Sequence, residues 1–137
     1  MSPAVLTGRC LCGAITLTIT PPTDFVSHCH CASCRVAHAA PFVTWTSVPE
    51  QRFTMTGEPH LFESSAGVHR GFCGRCGTQV LYRADATPGR VYVPVGILDG
   101  IDRAADSHVS YEERAGWIEG LERLPCFAGK SQRTLAW

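Results

Sequence analysis

A mainly β, single-domain protein over residues 1–137 is what the sequence predicts, and three observations predict it. Ala14–Thr20 alternates strictly between apolar residues and threonine, the period-two mark of a half-buried strand. Short runs rich in β-branched and aromatic residues recur along the chain, punctuated by Pro and Gly. Seven of the eight cysteines fall into three tight groups from widely separated stretches, with no low-complexity segment or linker to justify a domain cut.

The elements follow in order. Ile15, Leu17 and Ile19 share one face of the first strand, and Pro21-Pro22 ends it. A short apolar strand over 25–28 leads into a cysteine triplet, and 32–40 has room for one or two helical turns before Pro41 stops them. Residues 42–46 read as a strand closed by Pro49, and 53–56 as another ending at Gly57. Residues 61–63 and 68–72 flank Ser64-Ser65-Ala66-Gly67, a hairpin turn. Strands over 78–82 and 90–95 are split by an 85–89 loop, and 109–111 makes a late edge strand. Only 117–124 has helical spacing, weakened by Gly120.

Composition narrows the function classes. Apolar residues make up 45% and charged residues 18%, which is globular composition. Twelve basic residues balance twelve acidic ones, so no electrostatic footprint points to nucleic acid or anionic lipid. The opening MSPAVLTGRC lacks the charged and apolar regions of a secretory signal, and no apolar run reaches the roughly 20 residues of a membrane helix. A reducing cytoplasmic setting is therefore expected, where thiols stay reduced.

Under those conditions grouped cysteines bind metal. Cys10 and Cys12 form a CxC, Cys29, Cys31 and Cys34 a CxCxxC, and Cys73 and Cys76 a CxxC. The last sits in the glycine-rich turn Gly71–Gly77, unlike a redox CxxC that opens a helix after a strand. Thiolate-rich sets favour zinc. Cys10, Cys12, Cys73 and Cys76 make one closed tetrahedral set, and Gly77 supplies the left-handed backbone such a knuckle needs. The triplet leaves its fourth position to water, a substrate sulfur, His30 or Cys126. With Cys126 there, both sites are closed and the chain is a doubly stapled, non-catalytic β-domain for protein interaction. With the position open, the second zinc can bind a substrate thiol. Spacing leaves both readings open.

Eleven of the twelve basic residues are Arg. Arg9, Arg35, Arg70 and Arg75 lie near cysteine groups, where guanidinium charge offsets thiolates, grips a substrate carboxylate, or simply meets solvent.

Several segments together resemble a known family. Gly8–Gly13 (GxCxCG), Cys29–Arg35 (CHCxxCR), Ala40-Pro41-Phe42, Phe72–Gly77 (FCxxCG) and Gly96–Asp99 occur in that order, with Ser64-Ser65, His108 and a Trp117…Leu124-Pro125 tail. The chain resembles the glutathione-dependent formaldehyde-activating enzymes, also called the centromere-protein-V domain family, over nearly its whole length. The resemblance implies a zinc-bearing β-tent fold and two zinc ions. Cys10, Cys12, Cys73 and Cys76 would hold a structural ion; Cys29, Cys31 and Cys34 would hold a catalytic one. It further implies a carbon–sulfur lyase of the S-(hydroxymethyl)glutathione synthase type, joining a glutathione-like thiol to formaldehyde or another small aldehyde. Val36–Ala39 departs from the family's pattern, and His38 there either lines the pocket or caps a short helix. On this reading water or His30 relays the proton, while His108 is a core histidine.

Overall fold

Ten strands and one helix realise this pattern in a computed structural model that describes residues 4–129. Residues 1–3 and 130–137 of the expected 1–137 domain lie outside the described residues. Strands β1 (Leu6–Arg9), β2 (Thr16–Ile19) and β5 (Phe53–Thr56) make a three-stranded antiparallel sheet. The alternation at β2 works as read: Leu17 and Ile19 turn inward, while Thr16 and Thr18 face Thr56 and Thr54 across the pair.

The second sheet has seven strands: β3 (Val26–Cys29), β4 (Val43–Pro49), β6 (His60–Ser65), β7 (Val68–Phe72), β8 (Gln79–Ala84), β9 (Arg90–Pro94) and β10 (Ser107–Val109). Their spatial order is β10-β3-β4-β9-β8-β7-β6. All neighbours are antiparallel except β10, which pairs in parallel with β3. Helix α1 (Ala32–His38) follows β3.

Both faces of this sheet are used, as strand alternation allows. Along β9, Val91 and Val93 join Ile15, Leu17, Ile19, Val48 and Val80 in the larger core, with Cys10 and Cys73 among them. Tyr92, between the two valines, packs into a smaller cluster with Phe25, Val43, Trp45, Tyr82 and the cysteine triplet. The two cysteine sets thus sit in separate packed clusters, each against a different part of the fold.

Two expectations need correction, and one strand had no signal in the sequence. No alternation marks Leu6–Arg9, yet it forms β1 by pairing with β2 from Leu6↔Ile19 to Arg9↔Thr16. Residues 117–124 form no α-helix; 3₁₀ turns at Gly116–Ile118 and Leu121–Arg123 are separated by Gly120, whose φ is +74°. The late strand lies at Ser107–Val109, two residues before the expected 109–111.

Candidate metal and thiol site

The closed set is assembled by two turns. Cys10 ends the β1 side of a turn in which Gly13 N–H donates to Cys10 O, and the Ile15 N–H donates to Cys10 Sγ at 3.2 Å. Cys73–Cys76 spans the knuckle between β7 and β8, where Gly77 N–H reaches Cys73 O at 2.8 Å. Gly77 has a φ of +79°, the left-handed geometry the sequence called for. These turns bring the sulfurs of Cys10, Cys12, Cys73 and Cys76 within 4.8 Å of one another.

Two separations test the fit to an ion. Cys10 Sγ lies 3.6 Å from Cys12 Sγ, which lies 3.8 Å from Cys73 Sγ. A disulfide needs about 2 Å. A tetrahedral ion with Zn–S of about 2.3 Å spaces its sulfurs about 3.8 Å apart. The donor set fits such a metal. The Thr78 hydroxyl and backbone N–H lower the Cys76 thiol to about 5, which favours the thiolate a metal needs.

The triplet is built where β3 runs into α1. Cys29 ends β3, Cys31 caps the helix, and Cys34 lies one turn in. The Cys34 N–H donates to Cys31 Sγ at 3.3 Å, so the helix start itself stabilises a thiolate there. All three sulfurs lie within 4.8 Å of one another. Burial pushes the Cys29 thiol up to about 12 and the Cys34 thiol upward as well, with neighbouring thiols contributing. Burial also works to raise Cys31, but the Cys34 N–H, the adjacent thiols and Arg70 outweigh it, so its net shift is downward. Three clustered thiols cannot all ionise unaided; a cation at their centre removes that conflict.

A cavity of about 220 Å³ opens onto the triplet, lined by the three cysteines, Phe25, Ser27, Trp45, Arg70, Tyr82, Tyr92 and Val109. Strand register explains this lining. One rank runs from Ser47 through Tyr92, Tyr82 and Arg70 to Phe62, and Ser27 pairs with Trp45, which shares a face of β4 with Ser47 two residues away. Burial raises the Tyr82 phenol against the opposing pull of the Arg70 guanidinium, with Cys34 and Tyr92 adding to the rise. Sequence reading missed Phe25, Trp45, Tyr82 and Tyr92; the two tyrosines carry no local motif, and only the β8–β9 register brings them together.

Other expected site residues lie elsewhere. Cys126 is exposed, outside both sulfur groups, with Sγ 3.6 Å from Leu124 O. It does not close the triplet. His30 is 1% exposed and absent from the cavity lining; its Nε2 meets His108 Nδ1 at 2.8 Å, and Phe42 and Tyr111 pack against its ring. The reason is strand alternation, which sends Ser27 and Cys29 to one face and His28 and His30 to the other. His38 ends α1, packs edge-on against Trp45, and lines a different cavity with Phe42 and Val43; Ala39, not His38, supplies the cap.

Of the four candidate arginines, one reaches the triplet. Arg9 hydrogen-bonds the Cys10 and Leu11 carbonyls, Arg35 Nε donates to His30 O, and Arg75 is exposed. Arg70 is 6% exposed and places Nη1 4.0 Å from Cys34 Sγ. No helix of the described residues is long and apolar enough to cross a membrane.

Comparison with known proteins agrees with this architecture. A crystal structure of a Rhodobacter sphaeroides protein matches with a TM-score of 0.60 at 18% identity, over 75% of this chain and 99% of that one. An uncharacterized lyase of Schizosaccharomyces pombe is 25% identical over 121 residues, 88% of either chain. The family of glutathione-dependent formaldehyde-activating enzymes matches residues 5–114. With that match over most of its length, the chain belongs to the glutathione-dependent formaldehyde-activating enzyme family.

Proposed function

We propose that this protein is a zinc-dependent, lyase-type enzyme that reversibly joins a glutathione-like thiol to a small aldehyde, as an S-(hydroxymethyl)glutathione synthase does. One domain carries both sites. Cys10, Cys12, Cys73 and Cys76 hold a structural zinc ion, and Cys29, Cys31 and Cys34 are the catalytic set on a second. One observation carries the reading: three convergent thiols floor a 220 Å³ cavity while Cys126 stands outside their group. Three protein ligands leave a coordination position for a substrate atom.

Zinc held there supplies a soft Lewis acid that keeps a bound thiol ionised at neutral pH. The chain's own residues do the rest. Phe25, Trp45, Tyr92 and Val109 wall the cavity with apolar surface that excludes water from the reacting sulfur. The Tyr82 hydroxyl, beside those of Ser27 and Tyr92, is a donor available to an aldehyde oxygen in that cavity. The overall step forms one S–C bond, and the proton lost from sulfur ends on the former carbonyl oxygen.

The test is metal content together with turnover. Wild-type protein should carry two zinc ions and accelerate formation of the glutathione–formaldehyde adduct, followed by ¹³C NMR exchange. Cys34→Ala should lose one ion and that acceleration while staying folded. Adduct formation at the uncatalysed rate with both ions bound would overturn the assignment.

A further inference from the structure

Among the described residues, Arg70 is the charged residue that the fold buries without an acidic partner. Its side chain lies in the rank that faces the triplet, held by Nε donating to Ser64 Oγ at 3.1 Å and by the Tyr82 ring 5.2 Å away. Among the described residues no carboxylate stands within ion-pair distance of it. A buried guanidinium without negative charge nearby is strongly disfavoured. The triplet supplies part of that charge through Cys34 Sγ, but this contact engages one of five N–H donors and Ser64 another.

The residue itself lies at a junction. Arg70 lines the 220 Å³ thiol cavity and also a neighbouring groove of about 630 Å³, which α1 walls with Ala32, Val36 and Ala37 and the sheet walls with Phe62 and Phe72. A ligand with its sulfur at the triplet and its body in that groove must pass the guanidinium. Apart from Ser33, Ser64 and Gln79 the groove is apolar-walled, and Arg70 is its one charged lining residue, so a negative group there has one strong partner. A planar fork of N–H groups fits a carboxylate.

We infer that Arg70 is the specificity-determining residue of this site: its guanidinium binds the carboxylate of the substrate thiol, so the enzyme takes acidic thiols and discriminates against neutral ones. The inference rests on the thiol reading proposed above and adds the residue and the charge requirement. Arg70 acts in binding; it does not enter the S–C bond-forming step.

Zinc-loaded protein titrated calorimetrically with 3-mercaptopropionate and with 2-mercaptoethanol separates the possibilities. These probes share a thiol and a short carbon chain and differ in the carboxylate. Wild type should bind the acid about 10-fold or more tighter, as a charged, desolvated hydrogen-bonded pair allows. Arg70→Met, with zinc content checked, should bring the two within about 3-fold by weakening the acid alone, and Arg70→Lys should restore part of the difference. Equal weakening of both thiols in Arg70→Met would show that Arg70 serves only as counter-charge to the cysteines and would overturn the inference. Should the methionine variant not fold, the wild-type comparison and the lysine variant still decide it. If wild type binds both thiols equally, the thiol reading stands and the Arg70 assignment falls; if it binds neither, both fall.

Discussion

Removing one sulfur from each cysteine set should produce unequal losses of stability. Cys12 and Cys73 are 61 positions apart, so an ion shared between them closes a long loop. Treated as a crosslink, that closure is worth about 4 kcal/mol of unfolded-state entropy. Cys73 is also 2% exposed inside the larger core, so its loss disturbs packing as well. For a chain of 137 residues the unfolding entropy near the midpoint is about 0.3 kcal/mol per degree. Cys73→Ala should therefore lower Tm by roughly 15 °C. The triplet, by contrast, spans Cys29 to Cys34 within one strand end and one helix turn, so its ion closes no long loop. Cys34→Ala should cost about 1 kcal/mol, the usual scale of a small buried truncation, and lower Tm by only about 4 °C. The assay is thermal unfolding followed by circular dichroism on zinc-loaded proteins, with zinc content measured beside it. Equal shifts for the two variants, or a Cys73→Ala protein as stable as wild type, would refute the division into a structural and a catalytic set.

Three further outcomes follow from the geometry. Ile19→Ala empties a fully buried position in the larger core and should destabilise by about 3 kcal/mol, read as a lower denaturant midpoint at unchanged m-value. Gly77→Ala meets open space but must hold φ +79°, so it should lose about 1 kcal/mol by chemical denaturation and weaken zinc retention against a chelator. Burial, with Arg70 second, lowers His38 from 6.5 to about 4. Between those values the unfolded chain binds the extra proton, so this contribution to stability is complete above pH 6.5 and is lost as pH falls toward 4. Denaturant titrations across that window should show His38→Gln with a shallower acid loss than wild type, and identical slopes would remove His38 from the account.

The strands were legible wherever they had their own pattern. Thr16–Ile19 alternates and is a strand; Leu6–Arg9 does not, and becomes one only because β2 offers it an edge. Residues 117–124 have helical spacing, but Gly120 in the left-handed region divides them into two short turns. The cysteine groups were legible because metal ligation leaves a local trace in spacing. The cavity walls left none: Arg70 lies three residues before Cys73 in sequence, yet register turns it away from that knuckle and toward Cys34. Tyr82 and Tyr92 reach the same cavity through one cross-strand pair.

The four-residue strand β3 has a consequence for how this protein can vary. Ser27 and Cys29 look into the cavity, and His28 and His30 look out of it toward His108 and Phe42. Inserting or deleting a single residue there would exchange the two faces and offer imidazole nitrogen where sulfur now stands. Loops that carry no cysteine, such as the one between β8 and β9, can change length without touching the chemistry. This short ribbon cannot, because its residue count decides which element meets the ion.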